Sequence, residues 1–302
     1  MKAVAPAAVA PPLAERAVPS PRAVLELLKP ITWFPPMWAL ACGVVSSGVP
    51  LLANWRAFVG SVLLAGPLVC GTSQACNDWF DRHVDAINEP GRPIPSGRVP
   101  GRWGLWIAVL WSGLSLLVAA SLGPWVLAAA VLGLALAWAY SAPPLRLKLN
   151  GWWGCSAVGL CYEGLPWFTG ASAMLGRLPG AQVLALALLY SAGAFGIMVL
   201  NDFKAVEGDR AHGIRTLPVT LGVRRAAAVA AGVMLVPQGV VLALHLLWGN
   251  PFAAAAVGAA IAAQAAQMPM LMADPKRRAP LYGATGVTLY VTGMMVSAFA
   301  VR

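Results

Sequence analysis

Asn77-Asp78-Trp79-Phe80-Asp81-Arg82-His83-Val84-Asp85 follows directly on a long apolar run, and Asn201-Asp202-Phe203-Lys204-Ala205-Val206-Glu207-Gly208-Asp209 follows on another. With Glu89, these two segments hold seven of the chain's eleven acidic residues. The chain around them is 59% hydrophobic and 11% charged, with a mean hydropathy of +0.71. A soluble domain would carry about a quarter charged residues, so this composition points to an all-α integral membrane protein. Carboxylates at the ends of membrane helices are costly unless something cationic holds them. On a helix, Asn77, Asp81 and Asp85 are spaced i, i+4, i+8 and span about 80° of the wheel. Asp202 and Asp209, spaced i, i+7, would share a face in the same way. Oxygen-rich faces suit hard divalent ions, and Mg²⁺ usually binds through a few carboxylates plus substrate phosphates. A membrane enzyme acting on a diphosphate is the chemistry this implies.

About 20 apolar residues cross a bilayer as a helix. Nine candidate spans follow: 31–53, 57–76, 103–121, 123–140, 153–175, 181–200, 226–247, 251–272 and 281–300. Residues 1–29 read as a flexible cytoplasmic tail, and 30–302 as one nine-helix membrane domain with cytoplasmic capping loops. Residues 1–20 lack the pattern of a cleaved signal peptide. With nine spans, eighteen of the 21 lysines and arginines fall on the side of the N-terminus, leaving Arg56, Arg177 and Arg302 opposite. The positive-inside rule then puts the N-terminus and both acidic segments in the cytoplasm and the C-terminus in the periplasm. The net charge of +10 is thereby a topology signal, and nucleic acid is not an expected partner.

Each acidic segment opens a basic connection of about twenty residues, where about 2–8 is usual between helices, so these loops read as functional. Arg92 and Arg98 in the first offer planar forks suited to phosphate oxygens. Tyr140-Ser141-Ala142-Pro143-Pro144-Leu145-Arg146-Leu147-Lys148 adds a second basic loop on the same side, and the stretch from Arg210 to Pro218 a third. Arg102, Arg224, Arg225, Lys276, Arg277 and Arg278 read as topology signals or lipid-headgroup contacts. Glu163 falls inside the fifth span, where an ionisable residue is either functional or a hydrogen-bonded structural group. His245 reads as structural, the five cysteines as small buried hydrophobes, and Gln264 and Gln267 as interhelical hydrogen bonders.

The Asn77-x-x-x-Asp81-x-x-x-Asp85 pattern and the later Asp202…Asp209 pair resemble the two aspartate-rich motifs of the UbiA-type intramembrane prenyltransferases. Longer blocks are similar to the chlorophyll and bacteriochlorophyll synthase branch of that family. They are Asn77 to Pro90, Arg92 to Gly97, Tyr140 to Pro144, Cys161-Tyr162-Glu163-Gly164-Leu165-Pro166-Trp167, and Asn201 to Arg210. The Arg82-His83-Val84-Asp85 variant is closer to the bacteriochlorophyll side. The resemblance implies a nine-helix bundle in a bacterial inner or intracytoplasmic photosynthetic membrane. It also implies Mg²⁺ as cofactor and esterification of bacteriochlorophyllide by geranylgeranyl or phytyl diphosphate.

Carried onto this chain, the resemblance implies metal ligands among Asn77, Asp81, Asp85, Asp202, Glu207 and Asp209. Asp81, Asp85, Asp202, Asp209, Arg146 and Lys148 are then catalytic, with Arg82, Arg92, Arg98, Tyr140, Glu163, Lys204 and Arg210 binding substrate. Ala205 stands where many members of the wider family carry an aspartate, so the second metal would lean on Asp202 and Asp209. Membrane lipid and other pigment-biosynthesis or assembly proteins are the partners this role implies. The alternatives are a prenyltransferase for chlorophyllide, a quinone precursor or haem, and a multispanning transporter. A transporter would put its ionisable groups nearer the bilayer centre on paired broken helices, whereas these cluster at one face.

Overall fold

The computed structural model describes residues 18–302, and these form an all-helical bundle. Of the tail predicted over 1–29, residues 1–17 lie outside the described residues. The rest departs from a flexible tail, because α1 (Pro21–Leu27) is a helix capped by the Ser20 hydroxyl, which accepts from Ala23 N at 3.3 Å. Its Ala23 and Leu27 pack in a cluster with Ala75, Cys76 and Ile107, and Arg98 holds Glu26 with two bonds of 2.5 and 2.7 Å. Apolar residues four apart supply the buried stripe that docks this helix.

The bundle continues with α2 (Phe34–Ser46), α3 (Leu51–Asn88), α4 (Trp103–Leu122), α5 (Pro124–Ser141) and α6 (151–175). Then come α7 (Ala181–Asp202), two short helices α8 (Val206–Ala211) and α9 (Leu217–Leu221), and α10 (Val223–Leu247). It ends with α11 (Pro251–Ala273) and α12 (Pro275–Ala300). Seven of these (α3, α4, α5, α7, α10, α11 and α12) are long and apolar enough to cross a membrane. The chain is a multi-pass membrane protein. Two of the nine predicted spans differ. The first shrinks to the 13 residues of α2, about 20 Å of helix, because left-handed Gly48 and Pro50 stop it. The fifth, α6, is long but less apolar, with Glu163 and five glycines along it.

Backbones approach closely where side chains are absent, as membrane helices commonly do. A Cβ on Gly170 would lie 2.3 Å from the Leu40 carbonyl oxygen, and one on Gly43 2.0 Å from that of Trp167, so α2 and α6 pack backbone to backbone. Gly196 does the same for α7 against α10. Between these helices and α12, Trp167 stacks on Tyr190 at 5.7 Å and Tyr190 meets Tyr290 edge-on at 5.3 Å. Gln264 forms the expected interhelical bonds, exchanging amide contacts of 3.0 and 3.1 Å with Gln238, and Gln267 accepts from Thr285 of α12.

Two stretches are π-helical: Leu64–Cys70 within α3 and Leu160–Gly164 within α6. Pro67 lies inside the first and Pro166 follows the second. Neither has an N–H to give to the turn before it, which is where a helix can widen. Both stretches contribute to the same cavity, described next.

Candidate active site

The acidic segment at the end of α3 is helical throughout, so Asn77, Asp81 and Asp85 lie on one face as their spacing predicts. Lys148 reaches both Asp81 oxygens at 2.5 Å, and Arg146 approaches one at 3.5 Å. Asn77 donates to Asp81 at 3.1 Å and to Ser141 at 3.3 Å, tying α3 to the end of α5. Arg146 reaches this point from a left-handed backbone, φ 38°, that folds its loop back toward α3. Burial draws the Lys148 ammonium below its ordinary pKa, with the Asp81 charge opposing the fall.

One turn on, Arg92 donates to Asp85 at 2.9 Å and grips Glu89 with two bonds. It also touches Asp78 at 3.3 Å. Asp78, one residue off the face shared by Asn77, Asp81 and Asp85, is 1% exposed and ion-paired to Lys29 at 2.6 Å. That pair fixes the residues before α2 against α3. Sequence reading passed over both partners, because a lysine 49 positions away gives no local signal.

The second segment departs from the predicted shared face. The helix carrying Asp202 ends there, buried Phe203 turns the chain, and Asp209 sits on the separate α8. Cys155 of α6 contacts Asp202 at 3.8 Å, and the Thr216 hydroxyl donates to Asp209 at 3.2 Å. Burial raises the Asp209 pKa, and the Thr216 bond works against that. Tyr140, near the end of α5, lines the same cavity as Asn77 and Asn201, the residues that open the two segments. A parallel bridge of Asn150 with Arg215 joins the loops: Gly151 N donates to Arg215 O, and Arg215 N to Leu149 O, each at 2.9 Å. A Cβ on Gly151 would lie 2.6 Å from Leu217 N, so glycine is what lets the two loops meet.

Beneath this polar rim lies a cavity of about 400 Å³. Asn77, Tyr140 and Asn201 line its polar end, while Leu64, Ala65, Ala129, Ala130, Gly133 and Leu165 line its apolar depth. Asn201 opens the second segment as Asn77 opens the first, a parallel the sequence displays but the spacing argument did not use. A charged group can therefore sit at the rim while an isoprenoid-like chain fills the depth.

Not every expected residue joins this group. Glu207, expected as a metal ligand, pairs with Lys276 on the exterior; two residues from Asp209 on a helix, it faces elsewhere. Arg82 lies over the Trp79 ring at 4.1 Å and donates to Trp79 O at 2.7 Å, and Arg98 is taken up by Glu26. Lys204 and Arg210 are exposed, with Lys204 acting on the Asp202 charge. Glu163, expected to bind substrate, is buried and absent from the cavity lining; its neighbour Tyr162 lines it instead. The cause is the π-helical turn, which shifts the facing of each residue relative to an α-helical wheel.

All candidate ligands on the two segments are oxygen donors, the chemistry a hard divalent ion requires. Among the described residues no three acidic, histidine or cysteine side chains converge to hold an ion unaided.

The model of the UbiA prenyltransferase family matches residues 31–292. The chain is 57% identical over 287 residues to "Bacteriochlorophyll synthase 33 kDa chain" of Cereibacter sphaeroides, covering 95% of both chains. It is 54% identical over 290 residues to the protein of that name from Rhodobacter capsulatus, again over 95% of both. Among solved structures it is similar to a UbiA homolog from Archaeoglobus fulgidus bound to DMAPP or GPP and Mg²⁺. That likeness, with a TM-score of 0.67 at 20% identity over 89% of this chain and 99% of the other, is one of fold.

Proposed function

The chain belongs to the UbiA prenyltransferase family, and from that premise we propose that it esterifies the propionate of bacteriochlorophyllide with a prenyl group, geranylgeranyl or phytyl, taken from the diphosphate. The observation that carries this reading is the 57% identity, over 95% of both chains, to a bacteriochlorophyll synthase. The geometry agrees with it: an apolar cavity ends in a rim of carboxylates and cations. The rim faces the cytoplasm of a bacterial inner or intracytoplasmic membrane, and α2 and α6 complete nine crossings.

Asn77, Asp81 and Asp85 on one side, and Asp202 and Asp209 on the other, would hold Mg²⁺. When bound, the ion would supply positive charge against the departing diphosphate. Lys148, Arg146 and Arg92 bind the remaining diphosphate oxygens and stabilise the charge that builds as the C1–O bond breaks. The propionate oxygen forms the new bond to C1, diphosphate departs, and no proton has to move. A propionate is already ionised near neutral pH, by analogy with glutamate at about 4.3. The apolar lining keeps water from the cation-like carbon.

The test is incubation of the purified protein with labelled geranylgeranyl diphosphate, Mg²⁺, and bacteriochlorophyllide, a quinone precursor or haem as acceptor. Label should enter the pigment ester alone, and excess EDTA should abolish it. Prenylation of the quinone precursor with the pigment untouched, or full turnover in EDTA, would overturn the reading.

A further inference from the structure

The cavity has one polar wall that the reaction described above leaves unused. Tyr162, on the π-helical turn of α6, meets Cys70, the last residue of the π-helical turn of α3, with 3.7 Å between sulfur and hydroxyl. Gln74 Nε2 donates to the same phenol at 3.1 Å. The Tyr162 oxygen accepts from Gln74, the single S–H of Cys70 is shared with Thr32 O at 3.5 Å, and among the described residues no nitrogen or oxygen takes the phenol proton. All three side chains line the cavity. π-Helical turns are frequent at functional sites, and here two of them meet across one pocket.

An isoprenoid chain offers no acceptor for a phenol proton, and a lone polar group against hydrocarbon is unfavourable. The ligand atom that meets Tyr162 is therefore an oxygen. Gln74 precedes Asn77 by three residues, so this level lies about 4.5 Å further into the membrane than the rim. The diphosphate is held at the rim by Lys148 and the carboxylates. A carboxylate attacking C1 from the side away from the departing diphosphate comes to the deeper level. We infer that Tyr162, oriented by Gln74 and Cys70, donates a hydrogen bond to the acceptor's carboxylate and positions it for attack. This rests on the carboxylate-esterifying reading above. It moves the substrate contact expected of Glu163 one residue back along the chain.

Tyr162→Phe keeps the ring and removes only the donor. With geranylgeranyl diphosphate and Mg²⁺ saturating, kcat/KM for bacteriochlorophyllide should fall about 10- to 100-fold, the cost of a hydrogen bond to a charged group. Diphosphate affinity should stay within about twofold, because no uniform binding to it is lost. A poorly placed carboxylate also loses to water, so the ratio of free prenyl alcohol to ester should rise, which a packing defect alone would not cause. Gln74→Leu should shift the same ratio less, and carries the test if Tyr162→Phe does not fold. Wild-type pigment kinetics and product ratio in the folded variant, or a matching loss of diphosphate affinity, would overturn the inference. Failure of the wild-type protein to form the ester in the same assay would instead overturn the functional reading.

Discussion

Arg146 and Lys148 come from one short loop to one carboxylate, Asp81, which also holds the Asn77 amide. Such a shared carboxylate keeps at the rim the two cations proposed to meet diphosphate. Arg146→Ala should lower kcat/KM for the prenyl diphosphate about 10- to 150-fold, equivalent to about 1.5–3 kcal/mol, whichever pigment is offered. Lys148→Ala should cost more, because the only cation Asp81 then keeps is Arg146 at the longer 3.5 Å. Substrate titrations varying the diphosphate and the pigment separately would check both, and a rise confined to the pigment KM would contradict them. The Asn77, Asp81 and Asp85 face was legible in the sequence because an unbroken α-helix turns periodicity into position. Asp78 with Lys29 was not, since ion pairs between distant segments leave no spacing to read. Glu207 misled for another reason: its neighbour in sequence, Asp209, turns inward while Lys276 draws it out.

Helices here are shaped as much by what interrupts them as by what forms them. Apolar runs located the long elements, but α3 continues twelve residues past the Cys76 limit expected from hydropathy, through the acidic segment to Asn88. The two π-helical turns were invisible, since Pro67 and Pro166 announce a disturbed turn without stating its direction. The small-residue contacts can be tested directly. Gly170→Leu must push α6 from the Leu40 carbonyl, 2.3 Å from the added Cβ, and overpacking of this kind costs about 1–3 kcal/mol or more. The expected result is a clearly lower melting temperature in detergent. Gly283→Ala on α12, with nothing within 4 Å of its Cβ, should hold or slightly raise it. Equal effects of the two substitutions would mean that α2 and α6 do not pack this way.

Across the whole molecule, the separation of eighteen basic residues from three predicts which face meets the cytoplasm. A reporter fused after Arg302 should read periplasmic and one inserted at Gly91 cytoplasmic, and both on one side would require an even number of crossings. What the sequence could not display is how the loops of that face are joined. The bridge between Asn150 and Arg215 closes the rim only when residues on both sides of α7 are present. During synthesis, then, a ribosome that has released α6 has made the first acidic segment, both cations on Asp81 and most of the cavity wall. It has not made Asp202, Asp209 or Arg215, which bridges to Asn150. If Asp202 and Asp209 act as proposed, a half-finished chain is chemically incomplete, and an unfinished protein in the membrane would not spend activated isoprenoid on water.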